Sequence, residues 1–133
     1  MQTFILDACA LIAYIHREKG SAIVEGYLKD PTKRVVIHSV NFYEVYYDYL
    51  KRQPSTAFFL YELLKRAGII LHDELDKKTI EEGASLKIHY KMSLADSIAL
   101  GFALTLDAPV LTADRHEFGD IAKAKLVKIK FIR

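Results

Sequence analysis

Four acids, Asp7, Glu44, Asp96 and Asp114, are spread over this 133-residue chain, each just after an apolar stretch or near the start of a helical pattern. Asp7 is the clearest case. Phe4, Ile5 and Leu6 form a short apolar run, and Ala8, Leu11, Ile12 and Ile15 follow at helical spacing. Asp7 therefore falls at the carboxyl edge of a predicted strand, the side on which open α/β sheets keep their ligand sites. In a parallel sheet the strand ends and the following helix starts all lie on that side, which would bring the four carboxylates into one cleft. Two carboxylates about 4 Å apart repel by roughly 4 kcal/mol at an effective dielectric near 20, so such a cluster is tolerable when a cation sits in it. Carboxylates, a nearby hydroxyl and water suit Mg²⁺ or Mn²⁺ better than Zn²⁺. An ion held this way activates water, neutralises a phosphodiester and steadies the leaving oxygen, so the chemistry implied is phosphodiester hydrolysis.

Each acid also has a purely structural account. Asp7 would cap the helix after it. Asn41 with Glu44, and Ser93 with Asp96, fit the spacing in which a cap residue is answered three positions later by a carboxylate, and Asp114 would close a turn with Thr112. Competing chemistries leave little trace. There is no phosphate-binding glycine loop, no dinucleotide fingerprint and no Ser-His-Asp or Cys-His arrangement. The histidines, His16, His38, His72, His89 and His116, show no pair at ligand spacing. The single cysteine, Cys9, rules out an intramolecular disulfide or a thiolate zinc cluster, suits a reducing cytoplasm, and reads as a small buried residue with no base to activate it.

The elements that must position these acids alternate. Strands are predicted at Phe4–Leu6, Arg34–His38, Ile69–Leu71, Val110–Thr112 and in the alternating tail around Val127, Ile129 and Phe131. Helices are predicted from Ala8, from Ser21, around Phe42–Leu50 with Glu44 in the first turn, around Phe58–Leu64 ending at Gly68, from Asp73 to about Lys87, and from Ser93. The run Ile98–Leu106 is apolar nearly all round and should be buried. The expected fold is a three-layer α/β/α domain spanning 1–133, with a mainly parallel, roughly five-stranded sheet and helices on both faces.

Composition agrees with one soluble domain: 51% of residues are hydrophobic, and no apolar run approaches the roughly 18 residues of a membrane span. The amino terminus carries Asp7 inside its apolar part and no leading cations, so it reads as mature protein. Net charge is only +2, and any nucleic-acid surface must be local. Lys91, Arg115, His116 and the acid-free tail from Lys123 to Arg133 are the cations available for it, Arg115 and His116 because they adjoin Asp114.

The segments LDACALIAY, NFYEVYYDYL, MSLADSIALGFAL and VLTADRHEF, in that order, resemble the four signature blocks of a PIN domain, and the short single-domain form is similar to VapC-type toxins of toxin-antitoxin pairs. The resemblance implies an Mg²⁺-dependent ribonuclease in which Asp7, Glu44, Asp96 and Asp114 are the acidic quartet, Asp7, Asp96 and Asp114 hold metal, and Thr112 is a supporting hydroxyl. It also implies a homodimer and a cognate antitoxin that blocks the pocket, with the aromatics Tyr43, Tyr46, Tyr47, Phe58 and Phe59 supplying interface as well as core. Asp120 competes with Asp114 for the fourth position, and Cys9 stands where the family often has a serine or another small polar residue.

The expected reaction has Glu44 orienting or deprotonating water, with 5′-phosphate and 3′-hydroxyl products. Two other readings share the length and alternation: a phospho-accepting receiver-type signalling domain and a non-catalytic RNA-binding module of the same fold. The first wants a pair of acids after the first strand and an aspartate after the third, whereas here the third strand runs into His72.

Overall fold

The computed structural model describes residues Met1–Arg133. Its five strands, β1 Gln2–Leu6, β2 Lys33–His38, β3 Ile69–His72, β4 Val110–Thr112 and β5 Ile129–Phe131, form one sheet in the order β3-β2-β1-β4-β5. Every pairing is parallel. The helices are α1 Ala8–Ile15, α2 Ser21–Lys29, α3 Ser39–Arg52, α4 Leu60–Ala67, α5 Lys77–His89, α6 Leu94–Leu106 and α7 Arg115–Ala124, with a 3₁₀ turn at Ala57–Phe59.

Strand alternation divides the core in two. Phe4, Leu6, Val35, Ile37 and Leu111 pack with apolar residues of α1–α4 on one face. Ile5, Val36 and Val110 pack with Leu86 of α5, Leu100 and Phe102 of α6 and Phe118 and Ile121 of α7 on the other. Both faces are covered, as an all-parallel sheet requires. No helix is long and apolar enough to cross a membrane.

The strand order separates two of the architectures compatible with the sequence. A receiver-type domain has the order 2-1-3-4-5, whereas here β1 lies between β2 and β4. The chain winds outward from β1 through β2 to β3, then returns to lay β4 on β1's other side. The crevice between the carboxyl ends of β1 and β4 is the switch point at which open α/β sheets bind ligands.

Several boundaries differ from expectation. Helix α3 starts at Ser39, so Glu44 is in its second turn, and its cap is the His38 side chain, whose Nδ1 accepts from Val40 N–H at 3.1 Å. Asn41 is inside the helix and caps nothing. Helix α5 starts at Lys77, leaving Asp73, Glu74 and Asp76 in the preceding connection. Helix α7 was not anticipated: its apolar stripe is only Phe118 and Ile121, interrupted by Gly119, and such a short stripe looks helical only once both side chains have a core to enter.

Helix α6, buried from Ser97 to Ala103, crosses α5 closely. A Cβ on Gly101 would strike the Thr79 carbonyl, and one on Gly83 would come within 2.6 Å of the Ser97 carbonyl. Both obstacles are backbone. Gly101→Ala should therefore lower stability by roughly 1–3 kcal/mol, the usual range for overpacking, read as a fall in the denaturation midpoint; an unchanged midpoint would mean that the two helices separate freely.

Candidate functional site

The site is built on the neighbouring ends of β1 and β4. Leu6 pairs with Leu111, so the next residues, Asp7 and Thr112, stand side by side at the sheet edge. Asp7 is 2% exposed. Its Oδ1 accepts from Ala10 N–H at 2.8 Å, capping α1, and its Oδ2 accepts a short hydrogen bond from the Thr112 hydroxyl. Thr112 Oγ1 in turn accepts from Asp114 N–H at 3.0 Å, and Asp114 Oδ1 accepts from Glu117 N–H at 2.9 Å, capping α7. The structural and chemical accounts of Asp7 and Asp114 therefore hold together: capping fixes where each carboxylate stands.

Helices α3 and α6 bring the other two acids. The Ser93 hydroxyl accepts from Asp96 N–H at 3.1 Å, starting α6. Asn41, 1% exposed and one turn ahead of Glu44, donates through Nδ2 to the Ala95 carbonyl at 3.1 Å, tying the start of α3 to the residue before Asp96. Its Oδ1 is buried without a partner.

The four carboxylates act on one another. Burial pushes Asp7 up to about 7, against the hydrogen bonds from Thr112 and Ala10, and the charges of Asp96 and Asp114 push the same way. Asp96 rises to about 6, chiefly by burial, with Glu117, Glu44 and Asp114 adding to it. Glu44 is raised by burial and then by Asp114 and Asp48. Cys9 lies within reach of all four: burial, then Asp7, Asp114, Glu44 and Asp96, pushes its thiol to about 12, which leaves it un-ionised and unreactive.

Asp7, Glu44 and Asp96, all oxygen donors with raised pKa values, lack a counter-charge. No three His, Cys, Asp or Glu side chains are placed to hold one ion between them, so there is no closed cage. Mg²⁺ does not need one, because it keeps several waters and is bound through one or two carboxylates plus substrate phosphate. The donors suit a hydrated hard cation of that kind, which Asp7, Asp96 and Asp114 would hold.

Asp120 is exposed on α7 and lines a surface hollow with Arg115, outside the group of charges that act on Asp7 and Asp96. Asp114, not Asp120, faces the other three acids. Glu117 faces Asp96 and was missed from sequence; its signal was the Asp114-x-x-Glu117 spacing, legible only if α7 is expected. Arg115 and His116 are exposed at the start of α7, and Lys91 is exposed before α6. A larger hollow, about 880 Å³, is lined by none of the four acids but by Tyr43, Tyr46, Tyr47, Leu50 and Tyr61 among others. The aromatics of α3, the 3₁₀ turn and α4 divide between core and surface: Phe42 is buried, whereas Tyr43 is 74% exposed and Tyr47, Phe58, Phe59 and Tyr61 are also exposed.

A family model for the PIN domain matches residues 4–124. No curated protein matches the sequence. Among solved structures, a toxin-antitoxin complex from Klebsiella pneumoniae superposes with a TM-score of 0.76 at 17% identity, covering 97% of each chain. The DNA-bound VapBC of Salmonella typhimurium gives 0.75 at 17% identity over the full length of both chains. The sarcin-ricin-loop-cleaving toxin VapC20 of Mycobacterium tuberculosis gives 0.66 at 12% identity, covering 96% of this chain and 98% of that one. At these identities the likeness is one of fold.

Proposed function

Because the chain belongs to the PIN domain family, we propose that it is an Mg²⁺- or Mn²⁺-dependent endoribonuclease and the toxin of a toxin-antitoxin pair. The observation that carries this reading is the gathering of acids at the β1–β4 switch point, where Asp7, Glu44 and Asp96 each feel the charge of Asp114. Supporting it are the fold shared with toxin-antitoxin complexes and with a toxin that cleaves the sarcin-ricin loop.

When bound, one or two divalent ions supply Lewis-acid charge for the scissile phosphate and lower the pKa of water. The chain's own residues do the rest. Asp7, pinned by Ala10 N–H and the Thr112 hydroxyl, cannot swing away, and the same hydroxyl fixes Asp114 through its N–H. Asp96 approaches from the capped start of α6. Glu44, whose pKa is raised, is a stronger base than an ordinary carboxylate and would orient the attacking water and take its proton. Water attack on phosphorus with departure of the 3′-oxygen leaves 5′-phosphate and 3′-hydroxyl ends. The exposed aromatics of α3 and α4 form the surface for a second copy or for the cognate antitoxin.

The test is direct. Purified protein should cleave single-stranded RNA in Mg²⁺ or Mn²⁺, EDTA should stop it, and end-labelling should find 5′-phosphates. Retention of RNA without cleavage in either metal would favour the non-catalytic binding module.

A further inference from the structure

Resting on the ribonuclease reading, we propose that Arg115 and Phe131 form a stacking platform for an unpaired base of the RNA strand, beside the scissile phosphate. The sheet places it there. Thr112, the hydrogen-bond partner of Asp7, pairs in register with Phe131, so Phe131 stands two strands from Asp7, about 10 Å at ordinary strand spacing. Phe131 packs its ring against the α6–α7 side of the core, and the Arg115 guanidinium lies over it, 4.4 Å from the ring centroid.

Arg115 is exposed yet held. Its Nε donates to the Arg133 carbonyl at 2.8 Å, and Arg133 is itself tied to Glu18 and to the Lys19 carbonyl. Both restraints matter for what the guanidinium can still recognise. The edge that carries Nε, one side of the fork by which arginine grips phosphate in parallel hydrogen bonds, is occupied. One planar face is covered by Phe131. The opposite face is left for a ligand, and a guanidinium plane is a surface on which unstacked bases lie. His116, Lys123 and Asp120 border the same hollow, about 580 Å³, and Lys123 supplies charge for a flanking phosphate. The platform is already ordered before RNA arrives, so binding loses little side-chain entropy.

The experiment compares a short fluorescein-labelled single-stranded oligoribonucleotide with its abasic ribose-phosphate counterpart, by anisotropy in EDTA, for wild type, Arg115→Gln and Phe131→Leu. Leucine keeps an apolar residue against the core, and thermal melts report whether each variant is folded. Both substitutions should weaken binding of the base-bearing probe about tenfold, the scale of one lost stack, and leave abasic binding within twofold. Equal loss for both probes would reduce Arg115 to a phosphate contact and overturn the platform. So would unchanged binding in folded variants, the result expected if the pair only straps down β5, and so would wild type that binds neither probe or binds both alike. Cleavage by wild type in Mg²⁺ is scored separately: its absence sinks the ribonuclease reading, whereas base-independent binding beside normal cleavage sinks only the platform.

Discussion

Asp96→Asn should abolish RNA hydrolysis, by on the order of 10²-fold or more, while the protein melts at the same temperature or higher. The lower bound follows from the roughly 10- to 100-fold loss usual when a mere supporting partner of a metal site is removed. The structure explains why the fold is indifferent. Helix α6 is capped by Ser93 Oγ, which accepts the backbone N–H of residue 96, and that bond survives the substitution. What is lost is a carboxylate pushed up to about 6 by burial and by Glu117, Glu44 and Asp114, a charge the folded state holds at a cost. Asparagine has the same shape, no charge and little affinity for a hard cation. Asp7→Asn should behave alike, since an amide oxygen still accepts from Ala10 N–H to cap α1. RNA cleavage in Mn²⁺ that is unchanged in both variants would dismiss the acidic site as the catalytic one.

The second large effect concerns stability. Asp7 has an ordinary pKa of 3.8 unfolded and about 7 folded, so between those pH values the native state binds more protons than the unfolded chain. Stability from this group is fully present below about pH 4 and is lost as pH rises through 7. At about 1.4 kcal/mol per pH unit, the rise of roughly three units amounts to at most about 4 kcal/mol. Asp96 acts in the same direction over a narrower range. His38 acts in the opposite one: burial lowers its pKa, and protonation below about 6.5 in the unfolded chain costs the native state stability as pH falls. The clean quantity is therefore wild type minus Asp7→Asn, measured as unfolding free energy from pH 4 to pH 8. Wild type should lose ground steadily to the variant as pH rises, and added Mg²⁺ should narrow the gap by neutralising the ionised carboxylate. A flat difference across that range would mean that Asp7 titrates as an ordinary exposed acid.

Much of the fold was legible because it rests on short-range rules. Strand runs of β-branched and aliphatic residues, helix stripes at i, i+3 and i+4, and the turn residues between them placed all five strands and six of the seven helices. The exceptions have local causes. Helix α7 has too short a stripe to announce itself, and the α3 cap is an imidazole, His38, where the expected cap was Asn41; a histidine caps only when its tautomer is set, here by Nε2 against the Glu74 carbonyl at 3.0 Å. Glu117 went unseen with α7. Arg115 was read as a cation for nucleic acid because it adjoins Asp114, but its place over Phe131 depends on a strand pair sixteen residues away in sequence that no local pattern specifies.

By itself the sequence determined which side chains carry charge, that each acid follows an apolar stretch or lies near the start of a helical pattern, and that alternating elements must make a parallel sheet covered on both faces. Those are properties of neighbours along the chain. Only the tertiary structure decided that β4 lies against β1, so that Thr112 meets an aspartate 105 positions earlier and the charge of Asp114 bears on Asp7, Glu44 and Asp96. Strand order is settled by which layers of helices bury the most apolar surface together, a global sum over Phe4, Leu111, Phe102 and their contacts, and such a sum has no signature in any single stretch of residues.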